Sequence, residues 1–178
     1  MTSKYTLKNV KTFSGMEGRG FNASLYRDGK KVAEVRDDAT GGPLRFDWAD
    51  ALQPKVVIDA FDYAGNPIRF NGSEEEKRLH DFCNALPQRE SNGRTLRVDP
   101  DWYVSELVDT ADLMKRVKRH MKTKVVIIEG TTISTISYAA GITPETLAAA
   151  RKNNPKAVVL NGLSDAELAP YVAKALEG

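Results

Sequence analysis

A chain of 178 residues, 41% hydrophobic and 28% charged, suits one ordinary domain or two small subdomains. Its 26 Lys+Arg against 24 Asp+Glu give a net charge of +2, which excludes an acidic nucleic-acid mimic and a disordered basic tail. One Cys and two His exclude an internal disulfide and a thiolate zinc cluster. No run of about 18 apolar residues is available to span a bilayer. The polar start, Met1 to Thr6, has no signal-peptide core, so the expected location is the reducing cytoplasm, with no membrane partner.

The first elements read as sheet. Phe21 to Val35 holds Asp28-Gly29 between two alternating runs, a hairpin signature. A two-residue loop would set Ala23 against Glu34 and Phe21 against Arg36. A three-residue loop at Arg27-Asp28-Gly29 puts Phe21, Ala23, Ala33 and Val35 on one face, and this loop is expected because one buried face fixes register. Leu44 to Trp48 alternates as a short strand, Lys55 to Tyr63 is β-rich, and Ile68 to Phe70 returns beside it. Together they predict an antiparallel sheet of four or five strands covered on one face.

Ser73 with Glu76 forms a capping box, and Leu79, Phe82, Cys83 and Leu86 make one helical stripe that Pro87 stops. Residues 88–98 read as a loop and as the boundary between parts 1–98 and 99–178, which either share one core or hold two. A long helix follows near 101–122, capped by Asp99 or Asp101, with acids early and bases late as the helix dipole prefers. Val125 to Ile128 is a buried strand. Residues 131–152 fit either strand, turn and helix or a helix-turn-helix, with the β-branched run Thr131 to Ser137 favouring the first. Ala157 to Leu160 reads as a strand, and Ser164 with Glu167 caps a last helix. Hairpins first, then mixed helices and strands, give an α+β fold.

Several residues invite a functional reading. Ser14 to Gly20 is glycine-rich like a phosphate loop, but it lacks the Gly-Lys-Ser/Thr ending and leads into a strand, so a strand connection is the plainer reading. Asp37 and Asp38 lie in a turn without an EF-hand pattern. His80 sits within a helical turn of Cys83, yet Cys83 belongs to the apolar stripe, so a buried inert thiol beside an exposed His is expected. The strongest interaction candidate is the basic run Lys115, Arg116, Lys118, Arg119 and Lys122, followed by Lys124. It contains no anion and suits phosphate contact, while its structural alternative is a solvated helix end. No catalytic, cofactor or metal residues are assigned.

Phe13 to Ala33, continued through Asp37 to Gly42, resembles the opening of small uncharacterised accessory proteins of tailed bacteriophages, and the basic helix with Val125 to Ile128 is similar to their middle. The likeness weakens after residue 130, and that group ties no motif to a reaction, so no functional residue is carried over. The resemblance implies a non-enzymatic protein of the infected bacterial cell that binds and inhibits a host or defence protein, such as a CRISPR or other immune effector. Two other expectations stand beside it: nucleic-acid binding through 115–124, and a nucleotide-binding or enzymatic role for loop 14–20. Oligomeric state is not set by the sequence.

Overall fold

The computed structural model describes residues 5–62, 65–91 and 93–177, so Tyr63, Ala64 and Asn92 of the expected turns lie outside the described residues. The architecture is α+β, and the chain divides into two compact units, Met1–Val108 and Asp109–Gly178.

In the first unit, β1 (Tyr5–Gly15), β2 (Gly18–Arg27), β3 (Lys30–Asp37) and β4 (Arg45–Trp48) form an antiparallel sheet in chain order. The β2–β3 hairpin corrects the expected loop. Arg27 pairs with Lys30, so the turn is the two residues Asp28 and Gly29, at φ 49° and 83°. Both values are positive, as a type I′ turn requires. The register then shifts between Leu25 and Tyr26, because Val32 is an extra residue on β3, and Ala23 meets Val35 rather than Glu34. A bulge thus restores the face that the sequence pattern demands. Phe21, Ala23, Leu25 and Val35 are buried, while Asn22, Glu34 and Arg36 on the other face are exposed.

β5 (Val56–Phe61) and β6 (Pro67–Gly72) form a separate two-stranded sheet instead of extending the first one. β5 lies against α1 (Glu74–Asn84), and its Ile58 and Ala60 are buried, so the helix occupies this hairpin in place of a neighbouring strand. Ser73 Oγ accepts from Glu76 N at 3.1 Å, and Glu76 Oε2 accepts from Ser73 N at 3.2 Å, the two bonds of a capping box. Within the span expected to be loop, β7 (Arg89–Ser91) and β8 (Arg94–Leu96) pair as a short hairpin, a correction with a local cause: Gly93 at φ 72° sits in the turn.

α2 (Pro100–His120) starts where Asp99 Oδ1 accepts from Trp102 N at 2.8 Å. Asp101 is not the cap; its carboxylate accepts from Leu44 N at 2.9 Å. Val104 and Val108 of α2 join Leu79 and Cys83 of α1 under the sheet. Each such side chain, fully buried, contributes roughly 1.5–3 kcal/mol.

In the second unit, the end of α2 is followed by β9 (Val125–Glu129), β10 (Thr132–Ile136), α3 (Pro144–Asn153), β11 (Val158–Val159) and α4 (Asp165–Leu176). The three strands pair antiparallel in the order β10-β9-β11. Val125 to Ile128 of β9 are apolar without a break because both faces of the strand are covered there. Val126 and Ile128 pack with Val117, Leu160 and Leu168, whereas Val125 and Ile127 pack with Ala150 and Val159. Residues 131–152 form strand, turn and helix. Thr143 and Thr146 cap α3 reciprocally, each hydroxyl accepting from the other's backbone N–H. Among the described residues, no helix is long and apolar enough to cross a membrane.

Candidate functional site

The basic run lies where α2 ends. Lys115, Arg116, Lys118 and Arg119 are exposed on its last turns, and Lys122 is exposed in the turn that follows. Between them Val117 is buried against Val126, Leu160 and Leu168, with Leu113, Met114 and Met121 packed on the same cluster. That seating fixes the stretch of helix that carries the cations.

Asn161, which the sequence marks only as the end of a strand, fastens the chain just beyond the helix. Its amide donates to Met121 O at 3.2 Å and to Lys124 O at 2.9 Å, and its Oδ1 accepts from Val126 N at 2.7 Å. A buried-side asparagine can satisfy three backbone groups at once in this way.

Two of the five cations already have carboxylate partners. Arg116 Nε lies 3.6 Å from Asp112 Oδ2, one turn back on the helix. Lys118 Nζ lies 2.8 Å from Asp165 Oδ1 at the first turn of α4. Exposed pairs of this kind contribute at most about 1 kcal/mol and leave the cations available to a stronger anion. Among the described residues, no carboxylate pairs with Lys115, Arg119 or Lys122. The chemistry on offer is electrostatic contact with a polyanion.

The other candidates resolve differently. In segment 14–20, Gly15 pairs with Gly18 around a two-residue turn, and residues 18–20 already belong to β2. A side chain on Gly20 would meet the Asp37 carbonyl at 2.5 Å and the Phe13 ring at 2.7 Å, so this glycine serves close packing in the sheet. Asp37 Oδ1 accepts from Ala39 N at 2.8 Å and Asp38 lies 3.5 Å from Arg45, which ties both carboxylates to the turn.

Cys83 is buried, and burial pushes its thiol up to about 12. His80 corrects the expectation of an exposed ring: it is half-buried edge-on to Phe70, with centroids 5.4 Å apart, and burial holds it below the ordinary imidazole range.

One feature lies outside the sequence candidates. On the open face of the first sheet, Asn9, Lys11, Asn22, Ser24 and Glu34 line a shallow groove of about 320 Å³. Its shape comes from a bulge in β1 between Lys8 and Lys11, where Asn9 takes φ 56° and donates to Ser24 Oγ at 3.4 Å. The sequence signal was an Asn inside a strand, the residue type that tolerates the left-handed region.

Comparison with known proteins finds no matching family model, no matching curated protein and no matching solved structure.

Proposed function

We propose that this chain is an accessory binding protein that contacts nucleic acid through the basic end of α2. The observation that supports it is the array of Lys115, Arg119 and Lys122, exposed and, among the described residues, without carboxylate partners, at a helix end seated by Val117. Contacts of this type go to phosphates, carry no base readout and weaken with salt. With five phosphates neutralised, log K falls against log salt with a slope of about −3.5 on a single strand and about −4.5 on duplex DNA.

A second reading has its own support. The residues that resemble tailed-phage accessory proteins, Phe13 to Ala33 and Asp37 to Gly42, make up β2, most of β3 and the turns around them. A rigid sheet of this kind suits a protein that binds and inhibits a host or bacterial-defence protein in the infected cell, such as a CRISPR or other immune effector. The basic helix end would then meet an acidic patch on that target.

Recovery of tagged full-length protein from bacterial lysate, with and without nuclease, separates the two. Nucleic acid that co-purifies and is lost to salt or nuclease supports the first reading. A stoichiometric protein that survives nuclease supports the second and overturns the first.

A further inference from the structure

The sheet of the second unit has an uncovered edge. Helices occupy both its faces, and β11 ends it on one side after two residues, but β10 runs five residues along the other. Glu129 pairs with Thr132 around the two-residue turn Gly130-Thr131, with Gly130 at φ 61°. In such a hairpin the closing pair exchanges both hydrogen bonds and every second pair repeats it. Residues 132, 134 and 136 therefore bond to β9, while the N–H and C=O of Ile133 and Thr135 face the open side. Among the described residues, nothing bonds to them there.

Edges of this kind are ordinarily blunted by a charge, a proline or a bulge. β10 has none of these. Its ladder with β9 is unbroken from Thr132 to Ile136, and no charged residue occurs between Glu129 and Glu145.

We infer that β10 is the seam of a homodimer, pairing antiparallel with β10 of a second copy about a two-fold axis at Ser134. The strand is self-complementary in that register. Ile133 faces Thr135 of the second copy and exchanges both backbone bonds with it, on each side of the axis. Thr132 faces Ile136, and Ser134 faces its own counterpart in a non-hydrogen-bonded pair. Every cross-strand pair is then β-branched or hydroxylic, which are favourable partners.

Neutrality argues for a second copy in particular. A two-fold axis at Ser134 sets that residue directly beside its own counterpart and brings the copies of Ile133 and of Thr135 onto the diagonals, so like charges on this strand would crowd at the seam, and it carries none. The three-stranded sheet becomes six-stranded. A groove of about 460 Å³, lined by Ile127, Glu129, Thr132, Ser134, Ile136 and Asn154, lies over one face of β9 and β10.

The full chain is to be followed by sedimentation velocity from low to high micromolar concentration, with thermal unfolding to verify the fold of each variant. A concentration-dependent dimer is expected, and Thr135→Lys weakens it about tenfold or more by setting a charge opposite Ile133 on each side of the axis and two like charges on the diagonal. Ser134→Cys closes a disulfide-linked dimer on mild oxidation, because non-hydrogen-bonded partners sit at a Cα separation of about 4.5 Å, within disulfide reach. Thr131→Cys does not, and the native Cys83 is buried. A chain that stays monomeric, a dimer unmoved by Thr135→Lys, or a Ser134→Cys that links no faster than Thr131→Cys each overturns the seam.

Discussion

The side-chain oxygen of Asn161 accepts the backbone N–H of Val126 at 2.7 Å, across 35 positions of sequence. The same amide holds the carbonyls of Met121 and Lys124, so one residue closes the turn that joins α2 to β9. Asn161→Ala leaves the Val126 N–H without its partner and is expected to cost about 2–3 kcal/mol, the penalty for an orphaned buried donor plus the lost bonds. Urea titration of the variant measures this. A loss under half a kilocalorie would show that water replaces the amide.

Reversing Arg116 and Arg119 together to Glu is expected to abolish salt-sensitive binding to nucleic acid while leaving thermal stability nearly unchanged. Both side chains are exposed, and Arg116 gives up only its weak pair with Asp112. Filter binding across a salt series is the measurement. Undiminished affinity with an unchanged salt slope would reduce the basic run to a solvated helix end.

Acid sensitivity is expected from His80. Burial lowers its proton affinity in the folded chain, against the pull of Glu76, Asp99 and Asp81. The unfolded chain therefore binds the proton first as pH falls, and stability is full above the ordinary histidine range and lost as pH drops through it toward the folded value. The melting temperature should fall between about pH 7.5 and pH 5.5, and His80→Phe should flatten that fall. Equal slopes for parent and variant would refute the assignment.

Cys83 is expected to be inert in the native protein. Its thiol is driven up to about 12 by burial, so the thiolate that would attack a maleimide is scarcely present at neutral pH. Labelling should proceed only on unfolding, as mass spectrometry reads directly. Rapid labelling under native conditions would mean that the region around α1 opens readily.

Arg27 grips Glu75 with two bonds, Nε to Oε2 at 2.9 Å and an Nη to Oε1 at 2.8 Å, and both side chains are largely covered. Breaking such a pair from one side leaves a poorly solvated charge. Arg27→Ala is expected to destabilise by about 2–3 kcal/mol, and Arg27→Lys by less, since one amine cannot make the fork. Chemical denaturation of the two variants decides the order.

What could be read from the chain follows how local the signal was. The capping boxes at Ser73 and Ser164 are complete within four residues, and both form. The apolar run of β9 and the β-branched run of β10 declared themselves by composition. β1 did not, because Asn9 interrupts its alternation at the bulge, and β7 with β8 is too short to show a period. The division between units falls inside α2, where Val108 ends one packed group and Val117 belongs to another, and a continuous helical pattern gives no sign of it. At the candidate site the five cations were legible as a run, whereas the clasp of Asn161 needs contacts that only folding creates.

The bulge at Val32 has an evolutionary consequence. Without that one residue, the ladder from the Asp28-Gly29 turn would run on unshifted: Arg27 with Lys30, Tyr26 with Lys31, then Leu25 with Ala33 and onward to Phe21 with Asp37. The strand therefore contains a position that can be deleted without turning any remaining side chain over. Deletion would remove the buried Val32 side chain but keep the rest of the pairing. Length variants of this hairpin that differ by a single codon at the bulge keep the pairing from Ser24 with Glu34 to Phe21 with Asp37 and are compatible with the same fold.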